Sequence, residues 1–222
     1  MPEPRGVPFW SAEEVESSIA GTIAHLQSGG ILAYPTETVY GFGTMIDRDA
    51  VDALVTLKKR PPAKPFLLLL SDTQMLARLG LHLTHSASML AARHWPGPLT
   101  LVLPGGERRI PERLRGPEGG IAVRWTPHAG LQRLIAALGD PITSTSANLP
   151  GQPPAVTAGE ILTQWGQHIG RGTIRLLDGG RLPPSEPSTV VDCTGRHPRV
   201  VRPGALSAAT LRQTVPELVG DR

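Results

Sequence analysis

The sequence predicts an α/β fold, and two observations carry this prediction. Segments with the spacing of amphipathic helices alternate along the chain with short apolar segments that are typical of strands. Glycine or proline ends several of the predicted helices, and an apolar segment often follows at once, as it does after Gly29-Gly30 and Gly139. The 222 residues, 40% of them hydrophobic, suffice for one core and contain no internal repeat or interdomain linker. We therefore expect a single domain over residues 1–222.

The first half of the chain begins with a well-marked helix. It covers residues 11–28, where Ser11 and Glu14 have the spacing of a capping box and Gly29-Gly30 ends the helix. A second helix ends at Lys58, because Pro61-Pro62 cannot continue it. The other predicted elements of this half are strands at 31–35, 66–70 and 99–103 and helices at 72–79 and 85–94.

The second half continues the alternation. A strand at 121–125 leads into a helix for which Thr126 is the expected N-cap, Pro127 the first residue and Gly139 the end. The remaining predicted elements are a strand at 141–144, a helix from the capping box of Thr157 and Glu160 to about residue 167, β-like segments at 173–177, 189–193 and 199–202, and a last helix from Ser207.

Composition argues against several classes of protein. No apolar run approaches the about 20 residues of a membrane span, and glutamates occupy positions where a signal peptide would be apolar, so we expect a soluble cytoplasmic protein. The lone Cys193 has no partner for a disulfide or a metal site, so we expect a small buried residue without a redox role. A net charge of +3 and a pI near 9.5 allow an anionic substrate or a nucleic-acid partner. With only 4% of aromatic residues, an aromatic platform for stacking bases is poorly supplied.

The lysines of the chain are clustered. All three, Lys58, Lys59 and Lys64, fall within seven residues, whereas every other cationic position is one of nineteen arginines. Ammonium groups bind phosphate oxygens as point charges, which predicts a polyphosphate site near residue 60. The alternative is a helix end, because the helix dipole stabilises cations there, although arginine serves that purpose equally well. The lysines alone leave both interpretations open.

Familiar phosphate-binding loops do not occur in the chain. The pattern G-x-x-x-x-G-K-[ST] is absent, and Gly41-Phe-Gly43 lacks the third glycine of a dinucleotide-binding fingerprint. Short polar clusters stand instead at the ends of predicted strands, at residues 35–41, 95–100 and 144–148. Ligands of open α/β sheets bind beyond the carboxyl ends of strands, so these clusters are candidate binding segments. Hydroxyl-rich turns are also ordinary structural features, and each cluster by itself permits that interpretation.

One arginine is a further candidate for ligand binding, and two histidines have the spacing of a possible metal site. Arg124 lies in the predicted strand 121–125, with its side chain on the same face as that of Ala122. A guanidinium among apolar residues requires an anion, either a protein carboxylate or a substrate carboxylate bound through two hydrogen bonds. His82 and His85 have a spacing that could bind metal, but no acidic or thiolate ligand accompanies them, so we expect no metal site there.

Seven short motifs follow one another along the chain. They are Y-P-T-E-T-V-Y-G at 34–41, K-x-R-P at 58–61 with Lys64-Pro65, W-P-G-P-L-T at 95–100, A-V-R at 122–124, S-T-S-A-N at 144–148, P-S-T-V-V-D at 187–192 and R-P-G at 202–204. Their order and spacing closely resemble the YrdC/TsaC family of threonylcarbamoyl-AMP synthases, over residues 11 to about 210. The resemblance implies a twisted, open, mixed and largely parallel sheet with flanking helices and a basic concave face. Only 18 residues follow the last motif, so the chain resembles the short, single-domain form of the family.

The resemblance also implies roles for individual residues. Lys58 and Arg60 would be catalytic, and Thr36, Arg124 and Ser188 would hold threonine. Cations directed at the charge that develops on departing pyrophosphate stabilise a transition state without proton transfer, which would explain the lysine cluster. The residues expected to bind ATP are Lys58, Arg60, Lys64, Ser144, Ser146, Asn148 and Arg202. Lys59 occupies the variable position of its motif and is expected to face solvent.

The reaction implied by the resemblance consumes ATP, L-threonine and bicarbonate, with Mg²⁺ carried on the ATP phosphates. The protein is expected to supply no metal ligand and to hold no prosthetic group. N-carboxythreonine would attack the α-phosphate and leave threonylcarbamoyl-adenylate. A partner complex would then transfer the threonylcarbamoyl group to an adenosine of tRNA, and the basic charge is compatible with direct contact with tRNA.

Two other functions remain open from the sequence. An RNA-binding or ribosome-associated module would use the same basic concavity without chemistry, and its RNA affinity would fall steeply with salt. A carbamoyl-adenylate-forming enzyme, similar to a domain of hydrogenase maturation factors, would use carbamoyl phosphate and would not require threonine. Those maturation factors are far longer chains with additional domains.

Overall fold

The computed structural model describes residues 6–61, 64–107 and 109–220, which form ten strands, seven α-helices and a short 3₁₀ helix at Glu112–Leu114. The strands are β1 (Val7–Pro8), β2 (Ile31–Tyr34), β3 (Gly41–Gly43), β4 (Leu67–Leu70), β5 (Leu99–Leu103), β6 (Ile121–Trp125), β7 (Ile142–Ser146), β8 (Ile174–Asp178), β9 (Thr189–Asp192) and β10 (Arg199–Arg202). The helices are α1 (Ala12–Gln27), α2 (Arg48–Lys58), α3 (Gln74–Leu79), α4 (His85–His94), α5 (Ala129–Leu138), α6 (Ala158–Gly170) and α7 (Ala208–Arg212).

All ten strands join one sheet in the order β1-β8-β2-β3-β7-β4-β6-β5-β9-β10. This confirms the α/β class and the mixed sheet. Parallel pairs do not predominate, however, because four neighbouring pairs are parallel and five are antiparallel, which corrects the expectation of a largely parallel sheet. The physical reason is that β2 and β3, like β5 and β6, are joined without a crossover α-helix, and β7 runs antiparallel to both of its neighbours.

Local capping chemistry defines most helix boundaries, as the sequence predicts. In α1 the backbone N–H of Glu14 donates to Ser11 Oγ at 3.1 Å, and the N–H of Ser11 donates to Glu14 Oε2 at 2.9 Å. Thr157 caps α6 in the same way, and Gly139 ends α5 with a φ of 79° that favours glycine. Within the described residues, no helix combines the length and the apolar character needed to span a membrane.

The start of α5 differs from the prediction. Its N-cap is His128 rather than Thr126, and His128 Nδ1 accepts a hydrogen bond from the N–H of Leu131 at 3.3 Å. The Thr126 hydroxyl donates instead to Glu37 Oε2 at 3.2 Å and accepts from the N–H of His128 at the same distance. The hydroxyl is therefore committed to the 34–41 segment and does not cap the helix.

The short strands β1 and β3 are not among the elements predicted from the sequence. The Gly41-Phe-Gly43 segment, considered above as an incomplete fingerprint, is β3, and it lies between β2 and β7. Glycine is required at position 43, because a Cβ there would collide with the carbonyl oxygen of Thr143 and contact the ring of Tyr34. The close approach of the two backbones explains this glycine without a nucleotide.

The central strands have two different faces. On one face α4 packs against β5 and α5 against β4, and side chains such as Leu101 and Val123 are fully buried. On the other face the alternate positions, among them Val102, Ala122 and Arg124, line a cavity. Because side chains alternate along a strand, the same strands support the core and form the floor of the cavity.

Candidate functional site

The cavity on the open face of the sheet has a volume of about 940 Å³. Its floor consists of alternate residues of β5, β6 and β9 together with Ser144, Thr145 and Ser146 at the end of β7, and its rim comes from the segments around residues 36–39, 116–120, 154–156 and 184–188. Seven of the ten residues assigned to substrates from the sequence line it, namely Thr36, Arg60, Arg124, Ser144, Ser146, Ser188 and Arg202. The structure thus brings together motifs that are up to 166 positions apart in the chain.

Arg124 is a buried cation on the cavity floor. Its side chain is 5% exposed, and its Nη1 lies 3.4 Å from Oε1 of Glu37, whose other oxygen accepts the Thr126 hydroxyl. Within the described part of the chain, neither Nε of Arg124 nor Oε1 of Glu37 has a hydrogen-bond partner, although both atoms are buried. The protein carboxylate considered in the sequence analysis therefore exists, but it leaves hydrogen-bonding capacity of Arg124 for a second anion.

Arg60 is held rigidly at the cavity wall. Its Nη1 donates to Thr145 Oγ1 at 2.9 Å, its Nη2 donates to the carbonyl of Pro65 at 2.9 Å, and its guanidinium stacks on the ring of Phe66 at 4.7 Å. Burial lowers the pKa of Arg60, and repulsion from Arg202 lowers it further. A fixed guanidinium of this kind suits a phosphate oxygen, which accepts hydrogen bonds without requiring the side chain to reorganise.

Arg202 links the nucleotide and amino-acid assignments. Its Nη2 donates to the carbonyl of Ser188 at 2.7 Å and to Ser188 Oγ at 3.1 Å. Arg202 is exposed as a whole, but desolvation of its guanidinium beside the cavity lowers its pKa, and the charge of Arg124 lowers it further. The mutual repulsion of Arg60, Arg124 and Arg202 is unfavourable in the free protein and would be relieved by a polyanion.

Lys58 lies behind the cavity wall and not on its surface. As the last residue of α2 it is only 6% exposed, and its Nζ donates to the carbonyl of Ser146 at 2.8 Å, to Asn148 Oδ1 at 3.0 Å and to the carbonyl of Asn148. Its three hydrogens thus all serve the 146–148 segment. Burial lowers the pKa of Lys58 to about 8, and the charge of Arg60 contributes. Direct contact with phosphate stays a prediction, and the structure shows a support for Ser146.

The other lysines and Asn148 also lie outside the cavity lining. Asn148 Oδ1 accepts the Ser146 hydroxyl at 2.7 Å, so it orients a residue that does line the cavity. Lys64 is exposed, and its carbonyl accepts a hydrogen bond from Nε of Arg60. Lys59 is exposed as well, and it ends α2 in the left-handed conformation with a φ of 47°. The roles assigned to Lys58, Lys64 and Asn148 stay predictions.

Two of the residues predicted to bind the substrate threonine, Thr36 and Ser188, are buried, and their hydroxyls make different hydrogen bonds. Thr36 is 3% exposed, and its Oγ1 donates to the carbonyl of Val39 at 2.7 Å and accepts from the N–H groups of Thr38 and Val39. It therefore closes the turn after β2 while lining the cavity. Ser188 is 2% exposed, and its Oγ lies 2.8 Å from Oγ1 of Thr100.

Several cavity residues escaped the sequence analysis. Thr100 and Thr145 belong to the motifs that carry the resemblance, but no role was assigned to them. Side chains alternate along a strand, so the argument used for Arg124 would also have placed Thr100 on one face of β5 with Val102.

Arg199 also lines the cavity, and it lies 3.4 Å from Glu118 and 3.5 Å from Asp192. Cys193 is buried as expected, and burial, with the charge of Asp192, raises the pKa of its thiol to about 12.

Metal ligands of the usual kind are not grouped in the part of the chain that the structure describes. Over residues 6–61, 64–107 and 109–220, no cluster of three or more histidine, cysteine, aspartate or glutamate side chains could hold a metal ion. The cavity wall beside Arg60 instead offers the hydroxyl oxygens of Ser144, Thr145 and Ser146. Such oxygens fit Mg²⁺ that keeps most of its ligands from water and phosphate.

The chain is similar to proteins of a known family. A family model described as telomere recombination, that of the Sua5, YciO and YrdC proteins, matches residues 24–204. A threonylcarbamoyl-AMP synthase of Chromohalobacter salexigens is 39% identical over 183 residues, which cover 81% of this chain and 95% of that protein. A threonylcarbamoyl-AMP synthase of Pyrococcus abyssi is 34% identical over 195 residues, which cover 87% of this chain but only 56% of that protein.

The structural comparison agrees with the sequence comparison. The crystal structure of P. abyssi Sua5 complexed with L-threonine is similar to this structure with a TM-score of 0.85 and 29% identity, over 97% of this chain and 62% of that one. The matched region of the family model exceeds half of the chain, and it includes the floor of the cavity and every residue assigned to substrates. The chain belongs to the Sua5/YciO/YrdC family.

Proposed function

We propose that this chain is an L-threonylcarbamoyl-AMP synthase, a transferase that converts ATP, L-threonine and bicarbonate to threonylcarbamoyl-AMP and pyrophosphate. The observation that carries the proposal is the convergence of Arg60, Arg124 and Arg202 on one cavity, where Arg124 keeps a buried Nε without a partner among the described residues. Such a cavity binds a polyphosphate together with a carboxylate. The names of the relatives and the threonine in P. abyssi Sua5 support this choice of substrates.

The amino-acid half of the reaction belongs to the floor of the cavity. The threonine carboxylate lies against Arg124 and Ser188, with Thr36 at the neighbouring edge. The threonine amine combines with bicarbonate, water is lost, and the product is the carbamate N-carboxythreonine. This nucleophile is already an anion, so no side chain has to remove a proton at the moment of attack. In agreement with this, no histidine lines the cavity in the described residues.

The nucleotide half of the reaction belongs to the wall that carries Arg60 and Ser146. A carbamate oxygen forms a bond to the α-phosphorus, and the bond from that phosphorus to the bridging oxygen breaks, so pyrophosphate leaves with the electron pair. Arg60 and Arg202 stabilise the negative charge that moves to pyrophosphate, and Lys58 keeps the 146–148 segment in place. Positioning and electrostatics thus supply the catalysis, and exclusion of water protects the labile carbamate and the mixed anhydride.

Mg²⁺ is expected to enter with the triphosphate. The hydroxyl oxygens of Ser144 and Ser146 are the protein groups that would lie beside it, and when bound it would neutralise charge on the phosphates. No protein carboxylate has to hold the ion for this purpose.

The experiment that tests the proposal measures pyrophosphate release by the purified chain in the presence of ATP, Mg²⁺, threonine and bicarbonate. Release and a threonine-containing adenylate are expected in the complete mixture, and omission of threonine or bicarbonate should abolish both. RNA should be dispensable. Pyrophosphate release that proceeds equally well without threonine, or only with RNA, would refute the proposal. Carbamoyl phosphate offered in place of threonine and bicarbonate tests the carbamoyl-adenylate alternative and should give no release.

The product requires a second enzyme. A mixed anhydride of AMP is an activated acyl group, and we place its consumer in a transferase complex that modifies an adenosine of tRNA to threonylcarbamoyladenosine, in the cytoplasm. Direct binding of tRNA by this chain would rest on exposed arginines such as Arg181 and Arg196, so its affinity should fall steeply with salt. Strong RNA binding without any ATP turnover would favour the RNA-binding alternative.

A further inference from the structure

Thr100 is a polar residue on the floor of the cavity. It ends the W-P-G-P-L-T motif, lies in β5 with 1% of its surface exposed, and contributes to the cavity lining. Its hydroxyl oxygen lies 2.8 Å from that of Ser188. Among the described residues this is the one hydrogen bond of the Thr100 hydroxyl, so the contact with Ser188 defines what the hydroxyl can do.

The hydroxyl of Ser188 has a limited number of hydrogen bonds to give. A serine hydroxyl donates one hydrogen and accepts at two positions. Arg202 Nη2 occupies one accepting position at 3.1 Å. One hydrogen and one accepting position therefore remain for two neighbours, the Thr100 hydroxyl and whatever lies in the cavity.

An anionic ligand determines the direction of the Ser188 hydrogen and the use of its remaining accepting position. A carboxylate only accepts hydrogen bonds, so Ser188 must turn its hydrogen toward the ligand, and Thr100 must then donate to Ser188. We propose that Thr100 is a positioning residue for the amino-acid substrate, because its hydroxyl donates to Ser188 and directs the Ser188 hydrogen toward the substrate carboxylate. The inference rests on the proposed function, which places the carboxylate of threonine beside Ser188 and Arg124.

The consequence is an uninterrupted series of hydrogen bonds. Arg202 and Thr100 both donate to Ser188, and Ser188 donates to the carboxylate, so each bond polarises the next and strengthens the contact with the anion. Removing the Thr100 hydroxyl leaves a buried lone pair of Ser188 without a donor and leaves the direction of its hydrogen unspecified. The loss should appear in the amino-acid half of the reaction and not in the nucleotide half.

The test compares Thr100→Val with Thr100→Ser by steady-state pyrophosphate release and thermal unfolding. Thr100→Val keeps the shape of the side chain, and its KM for threonine should rise about 3- to 10-fold, the effect of one hydrogen bond, while its KM for ATP stays within about twofold. Thr100→Ser retains the hydroxyl and should have a KM for threonine within about twofold of wild type.

A matched control comes from a second pair of threonines. The hydroxyls of Thr44 and Thr143 lie 3.1 Å apart in the interior, and neither residue lines the cavity. Thr143→Val should lower the melting temperature by breaking a buried hydroxyl pair, without changing the KM for threonine. A merely structural role of Thr100 would produce this same pattern in Thr100→Val, and that result would overturn the inference.

A double-mutant cycle with Ser188→Ala makes the test specific. If Thr100 acts through Ser188, Thr100→Val should add nothing to the KM for threonine of Ser188→Ala, whereas an additive increase would overturn the inference. Thr100→Ala carries the same cycle if Thr100→Val does not fold. A wild-type chain that releases pyrophosphate without requiring threonine would overturn the proposed function itself, so the two failures are distinguishable.

Discussion

Replacement of Lys58 with methionine separates the charge of this side chain from its length. Three oxygens lose the donor, but the carbonyl of Ser146 keeps the N–H of Asn148 at 3.1 Å, and Asn148 Oδ1 keeps the Ser146 hydroxyl at 2.7 Å. The carbonyl of Asn148 is thus the oxygen most affected, at a cost of about 1–3 kcal/mol. Burial lowers the pKa of Lys58 from 10.5 to about 8, so removing the charge returns about 3 kcal/mol. The free energy of unfolding should change by about 2 kcal/mol or less.

Turnover should respond far more strongly than stability. We expect Lys58→Met to reduce pyrophosphate release by about 10²- to 10³-fold, because the 146–148 segment, which carries Ser146 on the cavity wall, loses its support and the positive charge behind that wall is removed. Initial rates at saturating ATP and threonine measure turnover, and chemical denaturation measures the free energy of unfolding. Arg60→Ala should lose activity on the same scale. Lys59→Ala is the matched control and should be nearly silent, since Lys59 is exposed one residue further along the chain.

Two results would refute this reasoning. If all three variants kept wild-type turnover, the lysine cluster would be a helix-end feature, as the alternative interpretation of the sequence holds. If Lys58→Met lost both turnover and most of its stability, the lost hydrogen bond to the Asn148 carbonyl would outweigh the gain from removing a buried charge, and the two effects would not nearly cancel.

The remaining predictions concern the substrate pocket and pH. Arg124→Ala should weaken threonine binding about 10- to 100-fold and ATP binding much less, because a charge-assisted contact with the carboxylate is lost; unchanged threonine binding in calorimetry would exclude this role. Serine lacks only the methyl group of threonine, so its kcat/KM should be lower by about 10- to 200-fold, and a smaller difference in a competition assay would mean that nothing reads the methyl. Lys58 is protonated below a pKa of about 8, so kcat/KM for ATP, which reports the free enzyme, should fall as pH rises through about 8. Stability should change in the opposite direction. Between about pH 8 and the unfolded pKa of 10.5, the unfolded chain binds more protons at Lys58 than the folded chain does. The free energy of unfolding of wild type should therefore rise relative to that of Lys58→Met as the pH rises through this range.

Features set by neighbouring residues were predictable from the sequence. The capping boxes of α1 and α6 and the glycine after α5 act within one helical turn, so the pattern contains all the information that they require. The strand β3 was not predictable in this way, because its three residues become a strand only between β2 and β7, and β7 comes about a hundred residues later. The direction of strand pairing likewise depends on which distant strands become neighbours.

The candidate site shows the same division. The motifs supplied the residue types, and most of their polar members do line one cavity. The motifs could not indicate which side chains line the cavity and which are buried behind its wall. Lys58 belongs to the same motif as Arg60, yet its side chain turns inward to the 146–148 segment, whereas Arg60 faces the cavity. Nor could they reveal that Thr100 and Ser188 share a hydrogen bond, since these residues are 88 positions apart.

The alternation of core and cavity positions along the central strands makes this site sensitive to one kind of mutation in particular. A point substitution at Ala122 changes the shape of the cavity floor and leaves the helix-packed face intact. Deletion of a single residue within β6 would instead reverse the side of every position beyond it, so that the guanidinium of Arg124 would turn into the helix-packed interior and its place in the cavity would pass to an apolar neighbour. Chains of this architecture can therefore vary by substitution in the floor, whereas changes of length are confined to the loops that form the rim.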